Sequence, residues 1–251
     1  MATSLRILHI TDPHLHAQRD ARMRGVNTDD TLQATLKHAL AGQRRPDVVL
    51  ATGDLVQDET RAGYERFRDL LGDLKVPVYC LPGNHDDPDV MRQVLSAAPF
   101  QFCGVAEHGE WTLVMLNSFA PQDDGGALAP EELDRLERAL AEHRTPHCLI
   151  ALHHQPVPMG SRWLDSVALR NPAELLALCD RYQHVRGIVW GHVHQASDRE
   201  RQGVRLLSTP STCAQFKPAS DQFALDNRPP GYRWIELQGD GSIVSSVMWV
   251  E

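Results

Sequence analysis

Six short runs rich in Val, Ile and Leu, with helical patterns between them, occupy the first two thirds of this chain of 251 residues. The runs are Leu5–Ile10, Asp47–Ala51, Val76–Leu81, Trp111–Leu116, Cys148–Leu152 and Gly187–Trp190, and each reads as a strand. Thr31 to Leu40 sets Leu32, Leu36, Ala39 and Leu40 on one helical face, and Arg61 to Leu71 does the same with Tyr64, Phe67, Leu70 and Leu71. Pro130 to His143 opens with proline and two glutamates, which suit a first helical turn. Asn171-Pro172-Ala173-Glu174 sets a capping residue before proline at the first helical position. Strand–helix alternation of this kind requires an α/β fold with a largely parallel sheet.

The last quarter changes character. Val204–Ser208, Tyr232–Leu237 and Ile243–Val250 read as strands, with a hairpin turn at Gly239-Asp240-Gly241 between the last two. This adds either a second sheet or an antiparallel edge to the first. No repeat, low-complexity tract or long linker divides the chain, so residues 1–251 are expected to form one domain.

Five motifs stand directly after predicted strands: Asp12-Pro13-His14, Gly53-Asp54, Gly83-Asn84-His85-Asp86, His153-His154 and Gly191-His192-Val193-His194. In an open α/β sheet ligands bind beyond the carboxyl ends of the strands, so the fold brings all five to one edge. Their Asp, His and Asn side chains offer oxygen and imidazole ligands without a thiolate, a set suited to manganese, iron or zinc. Seven such groups are too many for one metal with an open position and enough for two that share a carboxylate. Two metals ~3.5–4 Å apart form the clamp used for in-line displacement at phosphorus. Singly, each motif has a plainer explanation as a helix cap, a turn or a polar strand end. Their joint occurrence at five strand ends points to a metal centre. For His154 the choice between a supporting role behind the ligands and a purely structural one stays open, because neighbours in an extended segment point opposite ways.

The pattern DxH…GD…GNH(D/E)…H…GHxH resembles that of the calcineurin-like metallophosphoesterases, and it is matched at every position from Asp12 to His194. The resemblance implies two mixed β-sheets packed as a sandwich flanked by helices. It implies Asp12, His14, Asp54 and His194 around one divalent metal and Asp54, Asn84, His153 and His192 around the other, with Asp54 as the bridge. Iron or manganese is the implied pair, with zinc as a further option. His85 is implied beside the phosphate and the leaving oxygen, and Asn84 and His194 also face the phosphate. Phosphoprotein phosphatases of this superfamily carry an aspartate three residues after the bridging one; here Gln57 stands there, which argues against that activity.

Further segments are similar to the bacterial class III 3′,5′-cyclic-AMP phosphodiesterases, over nearly the whole chain. They are Gly25-Val26-Asn27-Thr28, Trp163-Leu164-Asp165 with Leu169-Arg170-Asn171, and Pro210-Ser211-Thr212-Cys213 running to Gln215-Phe216-Lys217-Pro218. This resemblance implies hydrolysis of cyclic AMP to 5′-AMP by an activated water. Trp163 and Phe216 are candidate base contacts, and packing explains them equally well. Two rivals stay open: another phosphodiester such as a 2′,3′-cyclic nucleotide or a glycerophosphodiester, and a non-catalytic scaffold on the same fold.

Composition sets the outer bounds. A net charge of −8, from 33 acidic and 25 basic side chains, argues against a nucleic-acid polymer as partner, whose affinity comes largely from Lys and Arg neutralising phosphates. A small anionic substrate stays compatible, since bound metals would dominate the local field. Five cysteines, an odd number with no CxxC pair, suit a reducing compartment. No signal-peptide pattern precedes Leu5, and no apolar run approaches the ~20 residues that span a bilayer. A cytoplasmic protein without a membrane partner, monomeric or homodimeric, is the expectation.

Overall fold

The computed structural model of the chain describes residues 4–142 and 144–251. Two six-stranded mixed sheets carry the fold. The first has the order Ile243–Trp249, Gly231–Leu237, Leu5–Ile10, Val48–Thr52, Val78–Leu81, Phe100–Phe102. Its last four strands run parallel, and the closing hairpin is added antiparallel beside Leu5–Ile10. The second has the order Ser197–Arg201, Val204–Ser208, Val185–Trp190, His147–Leu152, Trp111–Met115, Gly104–His108. Here the middle strands run parallel and both edges antiparallel.

Side-chain alternation explains why the strands read as unbroken apolar runs. Val48 and Leu50 join Ile7, Leu113, Leu149 and Val189 in a core between the sheets. Val49 and Ala51 face the other way, into a core with Leu36, Tyr64, Phe67 and Met91. Those side chains belong to the helices Thr28–Leu40, Arg61–Gly72 and Pro88–Val94, which cover the first sheet's outer face. Pro130–Ala141 and Pro172–Arg181 cover the second sheet through Leu136, Leu140, Leu175 and Leu178. Both faces of each parallel strand are therefore buried, as parallel sheets require. The four layers are helix, sheet, sheet, helix, as the family resemblance implied.

Of the two readings open for the terminal hairpin, the antiparallel edge of the first sheet is the one found. Other expectations needed correction. The first helix starts at Thr28, before the expected Thr31, because the Asn27 side chain accepts from the N–H groups of Asp29 and Asp30. Asn171 does precede the helix Pro172–Arg181 but makes no capping bond; its amide pairs with Leu128 N and O instead. The helix that opens at Pro130 runs to Ala141, and its expected end, His143, lies outside the described residues. Three strands of the two six-stranded sheets gave no sequence signal. Ser197–Arg201 and Gly104–His108 are sheet edges with polar or exposed positions, and Phe100–Phe102 is only 3 residues long. Edge strands blunted with charge are a known guard against further pairing. Among the described residues no helix is long and apolar enough to cross a membrane.

Candidate metal centre

The carboxyl ends of five strands, three from the first sheet and two from the second, converge on one point. Beyond Leu5–Ile10 and Val48–Thr52 the chain continues as two paired loops. Asp12 N donates to Gly53 O at 3.1 Å, His14 N to Asp54 O at 2.9 Å and Leu15 N to Leu55 O at 2.9 Å. The Asn84 loop is tied to the same pair by Asp86, whose carboxylate accepts from Leu55 N, Val56 N and Gly83 N and from the Tyr64 hydroxyl. Burial, then the Asp54 charge, pushes Asp86 up to about 7. The approach is too close for side chains at the turns: a Cβ on Gly83 would strike Asp54, and one on Gly191 would strike Thr11.

Five of the seven expected ligands sit in the left-handed region: Asp12 (φ 51°), His14 (48°), Asp54 (49°), His192 (64°) and His194 (46°). Non-glycine residues held there cost about 1–3 kcal/mol each and cluster at functional sites. The paired loops and the Asp86 clamp over-determine this backbone.

The seven side chains fall into two groups that share Asp54. In the first, His14 Nε2 lies 3.2 Å from His194 Nε2, His194 Nε2 3.3 Å from Asp12 Oδ1, and His14 Nε2 3.7 Å from Asp54 Oδ2. In the second, His153 Nε2 lies 3.2 Å from His192 Nδ1, 3.2 Å from Asn84 Oδ1 and 3.4 Å from Asp54 Oδ1. Each oxygen of Asp54 thus faces a different group.

The tautomers favour a cation in both places. A carbonyl only accepts, so His194 Nδ1 donates to Ala214 O at 2.7 Å and His153 Nδ1 donates to Thr52 O at 2.7 Å. In the neutral rings both Nε2 lone pairs then face inward among carboxylate and amide oxygens. Such a donor set, electron-rich and almost wholly buried, fits a pair of divalent cations. Electrostatics agree. Burial pushes His14 and His192 down to about 3, outweighing the nearby aspartates. Burial would raise the carboxyls of Asp12 and Asp54, but His194 holds the first and His153 the second below the usual range. Burial likewise opposes charge on His153, yet Asp54 raises it to about 9. A proton there stands where a cation would.

His85 donates its backbone N–H to Asp54 Oδ1 at 2.9 Å, and its ring Nδ1 lies 3.2 Å from Gln57 Nε2. A neutral amide therefore steadies this imidazole. His154 turns its Nδ1 to the Ser118 hydroxyl at 2.9 Å, and its ring lies 4.7 Å from that of His192. It stands beside the centre, with a ring nitrogen within 4.8 Å of ring nitrogens of His153 and His192.

A cavity of about 500 Å³ opens over the site, lined by His14, Asp54, Asn84, His85, His192 and His194. Asp12 and His153 lie behind this wall, buried. Trp163 and Phe216 line the same cavity, but Phe216 stacks flat on His194, with centroids 3.9 Å apart and 7° between planes. Sequence reasoning missed Phe223, which packs edge-on against both aromatics, and Arg24, whose guanidinium lies 4.7 Å from the Phe223 ring centre. Neither belongs to a motif, and a lone phenylalanine in a polar loop carries no sequence signal.

The profile of the calcineurin-like phosphoesterases matches residues 5–196, which include every one of these motifs. The chain belongs to that family. This phosphoesterase is 38% identical over 248 residues to the 3′,5′-cyclic adenosine monophosphate phosphodiesterase CpdA of Pseudomonas aeruginosa, covering 99% of this chain and 91% of that one. It is 41% identical over 244 residues to CpdA of Escherichia coli strain K12, covering 97% and 89%. Its fold matches a dimetal phosphatase from Danio rerio with a TM-score of 0.69 at 14% identity, over 98% of this chain and 99% of that one.

Proposed function

We propose that this phosphoesterase hydrolyses 3′,5′-cyclic AMP to 5′-AMP with two divalent cations, iron or manganese before zinc. The observation that carries the reading is identity of 38–41% across almost the entire chain with phosphodiesterases named for that substrate. The matched region extends past the phosphate-gripping motifs and takes in the segments that wall the cavity. As ligands we assign Asp12, His14, Asp54 and His194 to one cation and Asp54, Asn84, His153 and His192 to the other. The shared Asp54 and the inward lone pairs support this assignment.

Cations held there supply a water of lowered pKa and positive charge beside the phosphoryl oxygens. The chain's own groups do the rest. Asn84 faces the phosphate and its amide N–H stabilises charge that grows on it, while the His194 ring lines the cavity beside it. Water attacks phosphorus opposite O3′ and gives up a proton to solvent, the P–O3′ bond breaks, and His85, steadied by Gln57, delivers a proton to O3′ and regains one from solvent. The aromatic wall of Trp163 and Phe223 takes the adenine, and its apolar faces exclude water from that end.

Three broader statements belong to the same reading. The core shared by both sheets supports a single domain over residues 1–251. Five free, buried cysteines support a reducing, cytoplasmic setting. The net charge of −8 supports a small-molecule substrate over a nucleic-acid polymer. The test is turnover of cyclic AMP beside cyclic GMP and 2′,3′-cyclic AMP by protein reconstituted with manganese or iron, with products identified. Preference for 3′,5′-cyclic AMP and release of 5′-AMP are expected. Equal or faster turnover of a 2′,3′-cyclic nucleotide overturns the substrate, and no turnover of any phosphodiester overturns the enzyme.

A further inference from the structure

A line of hydrogen bonds lies buried between the two sheets and ends on Asp12. Thr209 Oγ1 lies 2.7 Å from His9 Nδ1, and His9 Nε2 lies 2.8 Å from Thr52 Oγ1. Thr52 Oγ1 lies 2.8 Å from Thr11 Oγ1, and Thr11 Oγ1 lies 2.6 Å from Asp12 Oδ2. Every one of these residues is fully buried. None of the four that lead to Asp12 lines the cavity over the metal centre. An aliphatic side chain at position 9 would fill the same core without needing partners, so this polar line calls for an explanation.

One chemical fact orients the whole line. A carboxylate only accepts, so the Thr11 hydroxyl must give its single hydrogen to Asp12. The Thr11 oxygen is then open to the hydrogen of Thr52. With that hydrogen committed, the Thr52 oxygen accepts from His9, which must carry its proton on Nε2. Burial, and then the neighbouring Arg233, push His9 down to about 3, so the ring is neutral and Nδ1 is a lone pair. Thr209 donates to it. Every hydrogen in the line points towards Asp12.

We propose that His9 is a positioning residue for Asp12, acting through Thr52 and Thr11 to hold a hydrogen on Oδ2. Oδ1, 3.3 Å from His194 Nε2, is then the oxygen that faces a cation. The His192 N–H, which reaches both oxygens at 3.2 and 3.1 Å, fixes the carboxylate plane from the other side. Aligned hydrogen bonds polarise one another, and partners behind a metal ligand set its orientation and basicity. The inference rests on reading Asp12 as a metal ligand, so its test separates the two ideas.

NMR of the imidazole nitrogens in metal-free protein at neutral pH reads the His9 tautomer directly; the proton is expected on Nε2. Thr11→Val keeps the shape and removes the hydroxyl that gives Oδ2 its hydrogen and accepts that of Thr52. Calorimetric titration with manganese should then show one of two sites weakened ~10–100-fold, with the other unchanged. Thr11→Ser should restore it, and His9→Phe should weaken the same site. A His9 proton on Nδ1 reverses the line and overturns the proposal. So does a folded Thr11→Val with both affinities of the parent, or a Thr11→Ser as weak as Thr11→Val, which indicates packing alone. If Thr11→Val fails to fold, the tautomer and Thr11→Ser decide. Absence of manganese binding by the parent protein defeats the metal reading itself, a result distinct from any of these.

Discussion

Asp54 is the residue on which the proposed chemistry depends most, because its two oxygens face the two groups of side chains separately. Asp54→Ala should abolish turnover and leave neither cation tightly bound, since each loses a ligand and the screening between them falls. Elemental analysis finding two tightly held metals in this variant means that the bridge lies elsewhere. The His85 ring touches Gln57 and its backbone N–H donates to the Asp54 carboxylate, but the ring joins neither group. His85→Ala should therefore keep its metals and lose about 10²–10⁴ in rate, the usual range for a positioned acid. The loss should shrink for a nitrophenyl phosphodiester, whose leaving group needs no proton; an equal loss on both substrates makes His85 a phosphate contact only. His9 gives a stability test of a different kind. Its folded pKa is depressed from 6.5 to about 3, so between these values only the unfolded chain binds the proton. That stabilises the unfolded state, and the deficit grows as pH falls below 6.5. Denaturant unfolding of metal-free protein through this window should show a slope shallower in His9→Gln than in the parent. The difference should approach ~1.4 kcal/mol per pH unit. Identical slopes would place the His9 proton in the folded state as well.

At the scale of elements, the division of labour lies between rigid loops at strand ends and an aromatic wall from three separate segments. Trp163, Phe216 and Phe223 pack edge to face, with centroids 5.2 to 5.4 Å apart. Only Phe216 is committed to His194, so the three should not respond alike. Trp163→Ala and Phe223→Ala should raise KM for cyclic AMP about 5–100-fold, from ~1–3 kcal/mol of lost stacking, and spare a small base-free phosphodiester. Phe216→Ala should weaken both substrates, because it also removes the support behind His194. Equal effects of all three on both substrates would assign the wall to packing. The contrast also explains what could be read in advance. Asp12, His14, Asp54, Asn84, His153, His192 and His194 were legible because strand ends, residue types and order coincide. Ser197–Arg201 was not, since an edge strand of charged residues is held by pairing with Val204–Ser208 and by no pattern of its own. Phe223 and Arg24 were invisible for the same reason: tertiary structure alone brings them to the cavity. The left-handed backbone at five of these positions had no signal beyond neighbouring glycines.

At the scale of the whole molecule, each of the two groups of side chains draws on both sheets. Asp12, His14 and Asp54 follow strands of the first sheet and His194 a strand of the second; Asp54 and Asn84 follow the first and His153 and His192 the second. A cation in either place therefore cross-links two layers that otherwise meet through the apolar core and the buried hydrogen-bonded line between them. Without cations the same point gathers electron-rich groups and a backbone held in the left-handed region. Metal binding should thus act on global stability and not on a local loop. A ligand bound only by the folded state adds about 2.7 kcal/mol at a hundredfold excess over its Kd. For a chain of this size each kcal/mol moves the melting temperature by about 2–4 °C, so saturating manganese should raise it by about 5–10 °C over chelated protein. Asp54→Ala, with the shared ligand gone, should show little of this rise. If calorimetry shows manganese bound to the parent while its melting temperature stays at the chelated value, the cations do not join the sheets. The two groups of side chains would then be a buried cluster in a fold that stands without cations.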